Sequence, residues 1–132
     1  MISIDTNLVC RYLLNDDVDQ ARAARKLIDE QEVFLTTTVV LESAWVLGAV
    51  YRLPIDRVVE ALTWFLGHPN VSLQDHAAVT SGLQWCAAGL GLADALHLAS
   101  SQGCHAFATF DRELEKRAAR VPAIPVSVPG PA

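Results

Sequence analysis

The chain has 132 residues, 52% of them hydrophobic and 19% charged, and a formal charge of −5. Those values exclude a disordered polyelectrolyte and a basic nucleic-acid arm. One core fits a chain of this length, and the mean hydropathy of +0.27 implies a further apolar surface for a subunit or partner. Cys10, Cys86 and Cys104 form no C-x-x-C pair, which excludes a disulfide framework or zinc knuckle and fits buried thiols in a reducing cytoplasm. No apolar run approaches the ~18 residues of a membrane span. The opening ISID, with Asp16 and Asp17 soon after, does not read as a secretory leader.

Residues 2–5 predict a short strand. Asp5 or Thr6 then caps a helix through about Leu14, and residues 15–19 form a turn. The run from Asp16 lacks the Gly and closing Glu of a calcium loop. A second helix spans 19–31, with Ala21, Ala24, Leu27 and Ile28 on one face. Residues 33–37 are the next strand, and Thr38 starts an apolar helix ending near Arg52. Pro54 opens another helix, which Gly67 and Pro69 stop. Residues 70–73 suggest a strand and 76–88 a helix broken at Gly89-Leu90-Gly91. A helix over 92–102 closes on Gly103 as C-terminal cap. Residues 104–109 form a strand, Asp111 opens a short basic helix, 124–128 make a last strand, and 129–132 are a flexible tail. The prediction is a single domain over 1–132. Strands separated by helices imply parallel pairing, and open parallel sheets carry their sites at strand carboxyl ends.

Four acids stand in apolar surroundings. Asp5 ends the first strand. Glu42 shares its helical stripe with Val39, Trp45 and Val46, which predicts an inward carboxylate needing a cation, Arg11 being one candidate. Asp94 begins a helix within GLGLADALHLAS, the least charged stretch, and Asp111 follows the strand HAFATF. Asp5, Asp94 and Asp111 each also fit a helix cap or first-turn acid. Taken together, carboxylates gathered from separate segments call for something positive between them. Hard oxygen donors select Mg²⁺ or Mn²⁺, which activates water against a phosphodiester. Discounting these four acids moves the formal charge from −5 to −1, so the acidity does not forbid a nucleic-acid substrate.

The segments IDTN (4–7), the apolar helix carrying Glu42, LADALHLA (92–99) and ATFDREL (108–114), in this order and spacing, resemble a PIN domain, most closely the VapC-type ribonuclease toxins. The resemblance implies a PIN-like three-layer α/β/α sandwich with a mainly parallel central sheet. It implies Mg²⁺- or Mn²⁺-dependent cleavage of RNA, a VapB-like antitoxin partner and a homodimer. Asp5, Glu42, Asp94 and Asp111 match the acidic site, and Thr6, Asn7 and Thr109 match supporting polar positions. Glu42 would hold metal or orient the attacking water.

Arg112 and Lys116, with Arg120 continuing their face, could meet RNA phosphates, or form an ordinary solvated face. His97, three residues after Asp94, could bind a transition metal but has no second such pair. Trp45, Trp64 and Phe65 default to core packing, and the helices over 38–68 are expected to help form a dimer or antitoxin surface. The alternatives are a catalytically silent PIN-like binding module and a Mg²⁺-dependent phosphatase. For the latter Asn7 stands where a second acid is wanted, and Lys26 and Lys116 are the only lysines.

Overall fold

Helix starts set the spacing of this chain. In the computed structural model, which describes residues 1–131, the chain forms two compact units, Met1–His76 and Ala77–Ala132. The last residue of the tail expected over 129–132 lies outside the described residues.

In the first unit, β1 (Ile2–Ser3), β2 (Val33–Leu35) and β3 (Val71–Leu73) lie side by side in that order and all parallel. Ile2 faces Val33, and Val33 faces Val71. Parallel neighbours need long crossovers. α1 (Thr6–Leu13) and α2 (Val18–Glu30) make the first, and α3 (Thr37–Ala49) and α4 (Ile55–Leu66) the second. Asp17 caps α2 by accepting from Gln20 N–H at 3.0 Å, and Thr36 caps α3 by accepting from Val39 N–H at 3.3 Å. Val9, Ile28, Val33, Leu35, Val40, Leu47, Leu62 and Phe65 are fully buried. Strand β1 is shorter than expected because Asp5 is taken as the cap of α1.

The helix expected to reach Arg52 ends at Ala49. Arg52 turns the chain with φ 58°, a left-handed conformation that strains a residue with a Cβ, and Leu53 N–H reaches back to Leu47 O at 3.1 Å. The buried face of α3 is Val40, Ser43, Ala44 and Leu47. Glu42 and Trp45 are therefore on the outer face, contrary to the inward placement expected. Ser43 Oγ is buried with no hydrogen-bond partner among the described residues.

The second unit is built on α5 (His76–Ala87), α6 (Leu92–Ala99) and α7 (Arg112–Ala118), with β4 (Phe107–Ala108) parallel to β5 (Val126–Ser127). All described strand pairings are thus parallel, as expected, and they fall in two ladders, one in each unit. Ala95, Leu98 and Leu114 centre the core, with Phe107 and Val126 against it. α5 and α6 approach closely at Gly82, where an added Cβ would meet Leu96 Cδ2 at 2.7 Å. Helix α6 stops at Ala99, so Gly103 is not its cap. Ser100 N–H, Ser101 Oγ and Gln102 Nε2 donate to Leu96 O, His97 O and Leu98 O, satisfying the last carbonyls without a left-handed glycine. Among the described residues no helix is long and apolar enough to cross a membrane. Cys10 and Cys86 are buried, and burial pushes both thiols up. Cys104 is exposed, contrary to expectation.

A polar network ties the first unit together. Arg11 Nη1 donates to both oxygens of Asp16 (3.0 and 2.8 Å) and to Tyr51 Oη (3.0 Å). Tyr51 Oη donates to Asp16 Oδ2 at 2.9 Å, and Arg11 Nε to Gln20 Oε1 at 2.7 Å. Arg11 is therefore spent here and does not neutralise Glu42. The Tyr51 hydroxyl and then Arg11 hold the Asp16 carboxyl below the usual carboxylate range, while Asp16 holds the Tyr51 hydroxyl above its ordinary value. A depressed carboxyl stabilises the fold above its unfolded pKa of about 3.9, and that contribution is lost as pH falls through the folded value. A raised phenol stabilises below its unfolded pKa of about 10, and this is lost as pH rises through the folded value. Asp16→Asn should therefore lower the thermal midpoint between about pH 4 and pH 10, with the gap from wild type closing in acid. Calorimetric melts across pH check this.

Candidate functional site

Asp5 and Glu42 belong to the first unit, and Asp94 and Asp111 to the second. Asp5, at the carboxyl end of β1, is exposed and caps α1, its Oδ1 accepting from Leu8 N–H at 3.0 Å. Oδ2 makes no hydrogen bond among the described residues. Glu42 is exposed on α3, and its Oε1 accepts from the Thr6 hydroxyl at 2.5 Å, the length of a charge-assisted bond. Thr6 is buried at the first turn of α1. The structure therefore joins Asp5, Thr6 and Glu42 through one helix start, each carboxylate holding one oxygen on the protein and leaving one open. The buried Cys10 thiol feels both acids, which add to its upward shift.

In the second unit, Asp94 is half-buried in the first turn of α6, whose N-terminus has no side-chain cap. It makes no hydrogen bond or ion pair among the described residues. Asp111 caps α7, with Oδ1 accepting from Glu113 N–H (3.0 Å) and Leu114 N–H (3.1 Å). Thr109 Oγ1 accepts from Asp111 N–H at 3.0 Å, so Thr109 shapes the backbone that aims the acid. Phe110, directly before it, is 82% exposed, a feature that sequence reasoning passed over. Asn7 is exposed and makes no hydrogen bond among the described residues.

None of the four acids is in an ion pair among the described residues. Their donors are all carboxylate oxygens, a set that fits Mg²⁺ or Mn²⁺ rather than zinc. Among the described residues no three His, Cys, Asp or Glu side chains converge as a complete metal cage. The acids are exposed or half-buried, so the apolar burial expected of them does not occur, and no desolvation cost requires a cation at Glu42. His97 is exposed. The DDVD acids serve structure, Asp17 as a cap and Asp16 on Arg11. Arg112, Lys116 and Arg120 are solvent-exposed, interspersed with Glu113 and Glu115, and Arg117 stands 4.0 Å from Glu113.

Several large apolar side chains of the first unit are exposed. Phe65 is in the core as expected, but Trp45 and Trp64 are each 65% exposed, joined by Val50 at 59% and Ile55 at 57%. Of these, Trp64 lines a groove of about 670 Å³ together with Leu13, Leu14, Leu47, Leu53, Pro54, Arg57 and Glu60.

A chain of parallel strands crossed by helices, with acids at helix starts, is of the α/β class in which such edges carry sites. Residues 2–120 match the family model described as "PIN domain", and the chain belongs to the PIN domain family. PIN domains are generally nucleases and generally use divalent metal ions. No curated protein sequence matches the chain. Among solved structures it is similar to VapBC2 from Rickettsia felis bound to a DNA fragment from their promoter, at 13% identity and TM-score 0.40 over 98% of this chain and 100% of that one. That likeness is too loose to bear on function.

Asp5 and Asp111 each combine a cap with a charge, and substitution separates the two. Asp5→Asn keeps an acceptor for Leu8 N–H and should leave stability nearly unchanged, whereas Asp5→Ala should cost about 1 kcal/mol. Chemical denaturation of both variants measures the difference.

Proposed function

We propose that this chain is a Mg²⁺-dependent endoribonuclease, with Mn²⁺ as substitute, of the VapC type, the toxin of a toxin–antitoxin pair. The observation that carries the reading is the PIN match over residues 2–120, which spans all four acids, together with the DTN, LADALHLA and TFD segments around them. Asp5, Asp94 and Asp111 hold the metal, directly or through water. Glu42 holds it too or orients the attacking water, steadied by the Thr6 hydroxyl. Thr109 supports Asp111, and Asn7 supplies a further polar group beside Asp5. A divalent ion bound there would activate water and stabilise charge on the phosphodiester. The protein itself supplies no nucleophile in this reading; its carboxylates position and its open oxygens bind. Arg112 and Lys116 meet RNA phosphates.

The exposed Trp45, Val50, Ile55 and Trp64, and the groove that Trp64 lines, support a surface for a VapB-like antitoxin or a second copy of the chain, since exposed apolar side chains mark such contacts. The reading places the protein in the cytoplasm. A second reading, a catalytically silent PIN module, draws on the lack of a converged three-acid cluster among the described residues. No observation favours a phosphatase, and Asn7 occupies the position its second acid would need.

The deciding experiment incubates the purified chain with structured RNAs in Mg²⁺, Mn²⁺ or EDTA, beside Asp94→Asn. Cleavage should require metal and fall by roughly 10²- to 10⁴-fold in the variant. Cleavage that survives Asp94→Asn would remove the assigned site. Metal binding without any cleavage would support the silent module.

The double substitution Arg112→Ala with Lys116→Ala should weaken RNA binding and reduce the salt slope by up to about 2, one unit for each phosphate that is no longer neutralised. Affinities measured over a range of salt test this, and an unchanged slope returns both side chains to an ordinary solvated face.

A further inference from the structure

The end of α1 opposite Asp5 forms an aromatic pocket that the acidic site does not use. Its volume is about 380 Å³, and Tyr12, Thr63, Trp64, Gly67 and His68 line it. That volume is within the range of small-molecule sites. The Tyr12 ring stands 6.0 Å from Trp64 at 31°, edge-on to Phe65 at 5.2 Å, and perpendicular to His68 at 6.4 Å. Three aromatic rings thus bound one small cavity, while the Trp64 ring stays 65% exposed.

Two further observations separate this pocket from a gap between core side chains. Tyr12 is only 9% exposed, yet its hydroxyl makes no hydrogen bond among the described residues. The oxygen still reaches solvent, since among the described residues the buried side-chain oxygen without a partner is that of Ser43, and the phenol is therefore open to a ligand's polar edge. His68 is fixed in one orientation. Its Nδ1 accepts from Asn70 N–H at 3.0 Å, and Asn70 Nδ2 in turn donates to Ile28 O (2.7 Å) and Asp29 O (3.2 Å) at the end of α2. The hydrogen of the neutral ring is therefore on Nε2, 3.5 Å from Asp29 Oδ1, at the rim of the pocket. The cavity offers flat faces for stacking, with a phenol, an imidazole N–H and the Thr63 hydroxyl for edges. A planar heteroaromatic group with donors and acceptors on its rim fits that combination, as unpaired bases do on aromatic side chains.

We propose that the pocket formed by Tyr12, Thr63, Trp64, Gly67 and His68 binds an unpaired nucleobase of the substrate. This rests on the RNA reading above and narrows it to RNA with a base free to leave its stack. Tyr12 lies six residues along α1 from Thr6, about 10 Å from the helix start that carries Asp5 and Thr6. That is about three nucleotides at the ~3.4 Å rise of a stacked strand. Trp64 also borders the larger groove, so a protein partner seated there and a base in the pocket compete for the same ring.

The test titrates the full chain with adenosine 5′-monophosphate and, separately, with ribose 5-phosphate, following the Trp64 indole N–H and the His68 ring by NMR. The nucleotide should move both signals and the sugar phosphate neither. Trp64→Ala should weaken nucleotide binding by at least about fivefold, with Trp64→Phe retaining most of it. Trp64 is mostly exposed, so neither variant threatens folding. Tyr12→Phe should weaken binding several-fold while leaving the stack in place. Signals that stay fixed, a response to ribose 5-phosphate alone, or equal affinity in Trp64→Ala would each overturn the proposal. A wild-type dimer split by Trp64→Ala with no nucleotide binding would overturn it too, assigning the ring to a protein contact. Nucleotide binding at Trp64 in a chain that cuts no RNA keeps the pocket and rejects the nuclease. RNA cleavage with Trp64 unmoved does the reverse.

Discussion

The amides at the start of a helix have no partner within it, and much of this structure follows from how they are met. Where strands run parallel, every strand must be followed by a helix, so strand ends and helix starts fall together. Asp5, Asp17 and Asp111 answer the need with a carboxylate, and Thr36 with a hydroxyl. At Asp5 and Asp111 one residue then serves two purposes. One oxygen closes the helix, and the charge remains at the sheet edge where a ligand could use it. The cap also restrains the side chain, so an acid committed in this way is oriented before any ligand arrives.

The link from Thr6 to Glu42 extends the same logic across the first unit. Glu42 is exposed on the outer face of α3. The Thr6 hydroxyl, buried in the first turn of α1, fixes one of its oxygens. Arg11, whose charge could have neutralised Glu42, is instead occupied by Asp16 and Tyr51. The network that clamps α1 to its neighbours therefore also leaves Glu42 without an ion pair among the described residues.

High apolar content has a similar double outcome. Part of it makes the core around Leu35, Leu47 and Phe65, and part is displayed as Trp45, Val50, Ile55 and Trp64. Helix α3 shows why. It is apolar nearly all round, so it buries one face and must leave the other for a partner or for water. Trp64 stands at the boundary, one side on the groove and the other on the ring of Tyr12. Tyr12 itself is packed, yet its hydroxyl is left without a protein partner.

The order of strands and helices was legible from the sequence, because capping residues, prolines and apolar periodicity are local signals. So were the parallel pairing, implied by helical crossovers, and the candidate acids, carried by short segments resembling a PIN domain. The turn from Asp16 was legible too, since a calcium loop needs a glycine it lacks. Helix ends were less so. Gly103 looked like a cap, but Ser100, Ser101 and Gln102 closed α6 first through contacts three to four residues back. The facing of Glu42 and Trp45 was misread because α3 has apolar residues on every side, and only packing selects which stripe is buried. The Thr6–Glu42 bond, the Arg11–Asp16–Tyr51 network and the aromatic pocket join residues up to 56 positions apart (Tyr12 to His68). Local propensity and spacing carry no record of such pairs, so the tertiary structure alone decided them.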